Sequence, residues 1–276
     1  SPYLCIGYHQ VLESVLDLEV CETLNLPVMR RCIGGGATFL DCNQIFYQCI
    51  FHNSRVPWRA DKVYQMMLNA PINVLNRIGL RGSLRSINEV EANSVRIAGI
   101  GGGRVGEAMV VVGNLLLDFD YSLMSKVWHV PDQSFRNLAF ATMEERVGTL
   151  KKLGCNHTLE SLESYLTEAF VESLERPVHE TQFEIQEIQA GRNSATNLSS
   201  FEFLSLHYPE GEVKPMKSLK ISADVFIHHI RLQLDDRISE ISVRVDNGII
   251  TDLQTESPRK TNIEKLMLDT PFSDWS

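Results

Sequence analysis

Residues 30 to 41 read Arg30-Arg31-Cys32-Ile33-Gly34-Gly35-Gly36-Ala37-Thr38-Phe39-Leu40-Asp41, so two fixed positive charges lead directly into three residues without side chains. That combination suits an anion. Consecutive glycines let backbone N–H groups approach a phosphate or carboxylate without obstruction by Cβ, and guanidinium groups grip such oxygens in a fork. A second block, Ala98-Gly99-Ile100-Gly101-Gly102-Gly103-Arg104-Val105-Gly106, repeats the theme about 65 residues later. Both are flanked by arginine and followed by an apolar, strand-like run, which predicts two glycine turns forming two lips of one pocket. The plainer reading is two tight turns between strands. The common nucleotide motifs do not fit: there is no GxxxxGK[ST], and Gly34 to Gly36 lack the GxGxxG spacing. Gly101, Gly103 and Gly106 have it, but Val110-Val111-Val112 follows instead of a long helix, so a dinucleotide fold is not expected.

Other reactive residues carry less. Cys32 could be an acyl-thioester nucleophile, but no histidine lies near it in sequence, and a small buried hydrophobe is the preferred reading. His228 and His229 are neighbours on a predicted strand, so their rings should point to opposite faces rather than share a metal. No HExxH, GxSxG or four-ligand zinc spacing occurs. Trp58 with Arg55 and Arg59 could anchor a partner, although a half-buried loop tryptophan explains it more simply. The run Glu160, Glu163, Glu168, Glu172, Glu175 reads as a solvated helix face.

The elements that must position these residues follow from periodicity. Pro2 to Gly7, Pro27 to Arg31 and Gln44 to Phe51 read as strands around a helix-like Leu16 to Leu24, and Arg59 to Ile78 has helical spacing despite Pro71. Ile87 to Val90, Ser94 to Ala98 and Glu107 to Asp118 read as strands joined by short turns. Helices are predicted at Tyr121 to Val127, Asp132 to Leu150 and Thr158 to Leu174, the last ended by Pro177. Residues 178 to 210 are polar, with Asn193 to Asn197 an expected exposed turn and linker. Leu219 to Leu234, Ile238 to Val245 and Ile249 to Leu253 alternate apolar and polar residues, with Asn247-Gly248 placed for a two-residue hairpin turn and a closing helix at Asn262 to Asp269.

With 276 residues, 43% hydrophobic and 22% charged, the chain has the composition of a soluble globular protein with one or two cores. The net charge of −9 gives no general attraction to nucleic acid, so any anion site must be local. No stretch approaches a membrane span, and six cysteines without a CxxC pair favour reduced thiols in a cytoplasmic setting. The chain begins without methionine inside a strand-like stretch, so a preceding piece is expected.

Taken together, Arg30 to Asp41 as RRxxGGGAxxxD, Asn88-Glu89, the segment ending Arg96-Ile97-Ala98-Gly99, and Gly113-Asn114-Leu115-Leu116 resemble the lipoate–protein ligase family, which shares its catalytic fold with biotin–protein ligases. The resemblance runs over about residues 3 to 175. Lys220 to Ile227 and the hairpin after it look like the small accessory domain of these ligases. The fold so implied is α+β: a biotin/lipoyl ligase-like catalytic domain of mixed sheets and flanking helices over residues 1–176, a linker region 177–212, and a small α/β accessory domain 213–276.

The family chemistry implied is attack of lipoate on the α-phosphate of ATP with Mg²⁺, giving lipoyl-AMP, then transfer of the acyl group to a lysine of a lipoyl-domain carrier protein; neither nucleic acid nor membrane enters. Position by position, the resemblance places Arg30, Arg31, Gly34, Gly35, Gly36 and Ala37 along the acyl tail and adenylate. It puts Asn88 on the adenine or ribose side, Gly99 and Gly101, Gly102, Gly103 along the nucleotide, and Gly113 and Asn114 beside it. No resident metal ligand is implied. Where the family has a lysine before the Ile-x-Gly, this chain has Arg96, the catalytic candidate, and Leu40 stands where a histidine is frequent. These departures keep two alternatives open: a silent homologue that binds lipoyl groups or lipoyl-AMP, and an ATP-independent lipoyl or octanoyl transferase.

Overall fold

The computed structural model describes residues 1–209, 211–234 and 237–275. In chain order the elements are Tyr3–Ile6 (β1), Leu12–Val15 (α1), Leu18–Thr23 (α2), Val28–Arg30 (β2), Thr38–Leu40 (β3), Gln44–His52 (β4), Ala60–Arg77 (α3), Ser83–Arg85 (β5), Glu89–Ala92 (β6), Val95–Val105 (β7) and Ala108–Leu116 (β8). Tyr121–Val127 (α4), Gln133–Arg146 (α5), Leu159–Leu174 (α6), Ile185–Leu198 (α7) and Phe201–Leu204 (α8) follow. Ser218–Ser222 (β9), Val225–Leu234 (β10), Arg237–Asp246 (β11), Ile249–Gln254 (β12) and Lys260–Met267 (α9) complete the α+β fold.

Two compact units share the chain: residues 1–12, 21–119 and 148–211 form one, and 13–20, 120–147 and 212–276 the other. The first contains a three-stranded sheet, β2-β1-β3, and a five-stranded sheet, β4-β8-β7-β6-β5. Strand alternation divides the larger sheet into two faces. Ile45, Val90, Ala98, Ile100, Val111 and Leu115 pack with Val63, Met67 and Val74 of α3 and Leu162 and Leu166 of α6 into the core. The other face carries Gly99, Gly101 and Gly103 opposite Asn114, Val112 and Val110.

In the second unit the sheet β12-β11-β10-β9 has one core of its own, where Ile241, Val243, Ile250 and Leu253 meet Ile263 and Met267 of α9. Asn247 and Gly248 both have positive φ, 52° and 82°, as the type I′ turn between β11 and β12 requires. Against α5, Arg244 on β11 pairs with Glu145 at 2.5 Å and Asp246 at 2.8 Å, and Arg146 reaches Asp246 at 2.6 Å.

Three local expectations differ from the structure. Gly99 to Gly103 lie inside the eleven-residue strand β7 rather than in a turn; the turn comes at Gly106, whose φ is 56°. Residues 193 to 197 belong to helix α7, which starts at a reciprocal capping box between Glu184 and Glu187. The helix expected to run to Leu150 stops at Arg146.

Candidate functional site

β2 leads into the first glycine segment, and Arg31 fixes that segment from beneath. Its Nη1 donates to the Cys5 carbonyl at 3.1 Å, Nε and Nη2 to the Gly34 carbonyl at 3.2 and 3.1 Å, and Nη2 to the Gly36 carbonyl at 2.7 Å. Gly7, at the end of β1, lets the loop settle: a methyl there would stand 1.9 Å from the Gly35 carbonyl oxygen. Gly35 itself has φ of 106°, which excludes other residues without strain. With the carbonyls drawn toward Arg31, the N–H groups of Gly34, Gly35 and Gly36 make no hydrogen bond among the described residues. Adjacent free donors, no side chains and a guanidinium behind them are the chemistry that can hold an anion.

Arg30 points the other way. It is 0% exposed, and its Nη1 donates to the carbonyls of Gly7 at 3.2 Å, Tyr8 at 2.8 Å and Gln10 at 2.6 Å. Nε donates to Phe203 at 2.8 Å, and Nη2 to the Leu204 carbonyl. This geometry differs from the expectation that Arg30 lines the acyl tail or adenylate: successive side chains of a strand face opposite ways, so only one of the paired arginines can serve the loop.

The second glycine segment owes its arrangement to a bulge. Across β6 and β7, Val90 pairs with Ala98 and Glu91 with Arg96, so Ile97 is the extra residue. Residues 96 and 99 would otherwise face opposite sides; the bulge turns Arg96 onto the face of Gly99. A methyl on Gly99 would stand 2.5 Å from Arg96 Nη2, so the guanidinium lies across that glycine. Glu89, 3% exposed, pairs with Gly99 and shares its face. From the other side Asn114 Oδ1 accepts from the Gly99 N–H at 3.1 Å. Its Nδ2 donates to Gln44 Oε1 at 3.1 Å, and Gln44 Nε2 donates to the Phe39 carbonyl at 2.9 Å. Asn88 contributes its carbonyl to the Ile100 N–H at 2.9 Å and is half-buried.

The two segments meet. A methyl on Gly101 would lie 3.9 Å from the Gly34 carbonyl oxygen, and one on Gly103 would lie 3.4 Å from Ile33 Cγ2. Arg31, Gly34 to Gly36, Arg96, Gly99, Gly101, Gly103 and Asn114 therefore belong to one surface, with half-buried Ala37 continuing the loop toward β3. Gly102 and Gly113 do not: methyls there would meet Tyr64 Cε1 at 3.1 Å and Tyr47 Oη at 2.3 Å on the helix-covered face. Tyr64 donates to the Gly102 carbonyl at 3.1 Å, and burial raises its pKa.

Gly7 and Gln44 were not singled out by sequence, and Glu89 entered only beside Asn88 in the motif, without a role; of the first two, only Gly7, an isolated glycine closing a strand, carried a signal. Cys32 is exposed rather than buried, and Trp58 is 83% exposed under the Arg104 guanidinium, 4.4 Å from its ring centroid.

The model of the lipoyl protein ligase A/B catalytic domain matches residues 1–171, well over half of the chain. The chain belongs to this family. Among curated relatives, lipoate-protein ligase A subunit 1 of Thermoplasma acidophilum is 25% identical over 179 residues, 61% of this chain and 67% of that one. Octanoyltransferase LipM of Clostridioides difficile is 24% identical over 192 residues, 61% of this chain and 70% of its own. Against two Mycoplasma relatives the matched stretch is about half of their length, 46% and 49%. A solved bi-partite lipoate protein ligase from T. acidophilum shares the fold at a TM-score of 0.69 and 23% identity, covering 77% of this chain and 84% of that one. No described helix is long and apolar enough to cross a membrane.

Proposed function

We propose that this family member is an ATP-dependent lipoate–protein ligase that activates lipoate as lipoyl-AMP and passes the acyl group to a lysine of a lipoyl domain. The observation that carries this reading is the apposition of Gly34 with Gly101, with the free N–H groups of Gly34 to Gly36 on one side and the Arg96 guanidinium across Gly99 on the other. A mixed anhydride reacts with water, so a ligase must neutralise its phosphate and hold the acyl carbonyl between fixed donors. The loop N–H groups would bind the phosphate oxygens, and Arg96 would stand between the phosphate and the acyl carbonyl. Asn114 and Asn88 fix the backbone of β7 along which the nucleoside would lie. Mg²⁺ would arrive on the triphosphate as part of the substrate. The T. acidophilum relative was solved as a lipoylation system with its E2 lipoyl domain, which supports a lipoyl-domain acceptor here. Six free thiols accord with a reducing, cytoplasmic setting.

Likeness to an octanoyltransferase and the exposed Cys32 in the glycine loop favour a second reading, acyl transfer without ATP. One experiment separates them: the protein is incubated with lipoate, Mg-ATP and a lipoyl domain, and pyrophosphate release and acyl-domain mass are followed. ATP-dependent release with domain acylation supports the ligase; acylation from an octanoylated carrier without ATP supports the transferase. Binding of lipoyl-AMP with neither activity identifies a silent homologue. Arg96→Lys tests the family's departure, because a planar fork and a compact ammonium do not substitute for one another. A change in adenylation of at least about tenfold, in either direction, is expected from displacing a charge by about 1 Å in such a site.

A further inference from the structure

Away from the glycine surface, the loop before α3 carries Trp58, and distant arginines converge on it. β4 and β7 both border β8, and the register sets Phe51, Met109 and Arg104 in one row across the three strands. A guanidinium stacks on a ring at each end of that row. Arg104 lies over Trp58, 4.4 Å from its centroid, and Arg176, just past α6, lies over Phe51 at 5.4 Å. Two strand spacings put the ends of the row about 10 Å apart.

Both guanidiniums are held by neutral groups. Arg104 donates to Asn53 Oδ1 and to the carbonyls of Pro57 at 3.4 Å and Trp58 at 3.2 Å. Asn53 in turn donates to the carbonyls of Glu107 at 2.8 Å and Gly106 at 3.1 Å. Arg176 donates to the Arg55 carbonyl at 3.1 Å. Their charge is therefore left uncompensated, and the exposed Arg55 likewise makes no ion pair among the described residues. Arg59 differs, being paired with Asp61 at 2.8 Å. Exposed Lys62 adds a further cation, while Glu107 after β7 and Glu175 after α6 are the neighbouring carboxylates. In a chain of net charge −9, the balance here is reversed.

Trp58 is 83% exposed, so a large ring stays in water in one fixed orientation. Tryptophan and arginine are the residues that most often carry interface energy, and an anchor already ordered loses little entropy on binding. Apolar surface continues from it. Ile50, 63% exposed, shares a row with Gly103 through Val110, and exposed Val105 follows Arg104, so the patch wraps around the end of the sheet onto the face of Gly99 to Gly103. Gly99 is five residues before Arg104, about 17 Å along β7. A standard interface covers about 800 Å² of each partner, roughly 30 Å across, so a domain seated on Trp58 overhangs the glycine surface.

We propose that Trp58, Arg55, Arg104 and Arg176 form the docking platform for an acidic face of the acyl-acceptor lipoyl domain. Naming the acceptor rests on the ligase reading; the acidic character of the occupant follows from the platform itself. The ring anchors the domain, and the stacked guanidiniums select carboxylates around it.

The test uses the full chain and an isolated lipoyl domain. Binding is followed by NMR on the isotope-labelled domain, and the first half-reaction is read as pyrophosphate released from lipoate and Mg-ATP without acceptor. Trp58→Ala should weaken domain binding and raise the KM for the domain at least about tenfold, while pyrophosphate release stays at the wild-type rate. Wild-type binding should weaken severalfold between about 50 and about 200 mM salt, and Arg55→Glu with Arg176→Glu should remove that dependence. A domain that binds these variants as it binds the wild type, or binds none of them, overturns the platform. Trp58-dependent capture of a single-stranded RNA in the domain's place overturns it too. Trp58-dependent binding of the domain without pyrophosphate release keeps the platform and refutes the ligase reading; pyrophosphate release with binding independent of Trp58 does the reverse.

Discussion

Among single residues, the glycines separate into those that make room for backbone and those that make room for a side chain. Gly7→Ala would drive a methyl into the Gly35 carbonyl at 1.9 Å, a contact neither partner can relieve without moving the loop. Such overpacking should cost about 1–3 kcal/mol or more, read as a lowered urea midpoint. Gly99→Ala meets instead the far end of Arg96 at 2.5 Å, which can swing away. Stability should change by less than about 1 kcal/mol, while pyrophosphate release falls about 10²-fold because the guanidinium is misplaced. Arg30→Met removes the donor from five carbonyls at once and should lower stability by about 3 kcal/mol or more in urea unfolding. The sequence showed that charge and glycine were concentrated here, but not that one arginine of the pair serves the scaffold. That distinction depends on which way β2 faces, and residue type is silent about it.

For the elements, helices α3, α4 and α6 and the C-terminal sheet were legible because burying one stripe or one face imposes a period on the sequence. What was not legible depends on partners distant in the chain. Gly99 to Gly103 look like a turn because glycine favours turns, yet they are a strand paired along β8, with the loop at Ile33 and Gly34 passing within 4 Å of where side chains at 101 and 103 would begin. The bulge at Ile97 that re-aims Arg96 leaves no mark in composition. The contact of α5 with β11 was equally hidden, and it carries a pH signature. Burial raises the Asp246 carboxyl, but Arg244 and Arg146 lower it further, so its folded pKa lies below that of a free carboxyl; Arg244 lowers Glu145 as well. A carboxylate depressed in this way contributes stability that is complete above its unfolded pKa and lost as pH falls through the folded one. The C-terminal unit should therefore weaken below about pH 4, and Asp246→Asn should flatten that slope in urea midpoints recorded from about pH 7 to about pH 3.

Across the whole molecule, the family match and the compact units do not share boundaries. The match ends at residue 171, whereas the first unit extends to 211 and omits 120–147. A fragment of residues 1–171 would lack the Phe203 and Leu204 acceptors of Arg30, and it would lack the sheet β9 to β12 that packs on α5. It should show no cooperative thermal transition by circular dichroism and should bind a hydrophobic dye, whereas the full chain should unfold cooperatively. The C-terminal sheet was readable from its alternation; its alliance with α5 was not, since nothing in a helix names the strands that will cover it. Arg30 also sets an order in time. During synthesis its guanidinium emerges early, but two of the carbonyls that seal it belong to residues 203 and 204, so a nascent chain on the ribosome must grow past Leu204 before the wall behind the glycine loop can close. Premature termination before that point would leave a charged side chain short of two of its five carbonyl acceptors, and cellular quality control acts on just such unfinished chains.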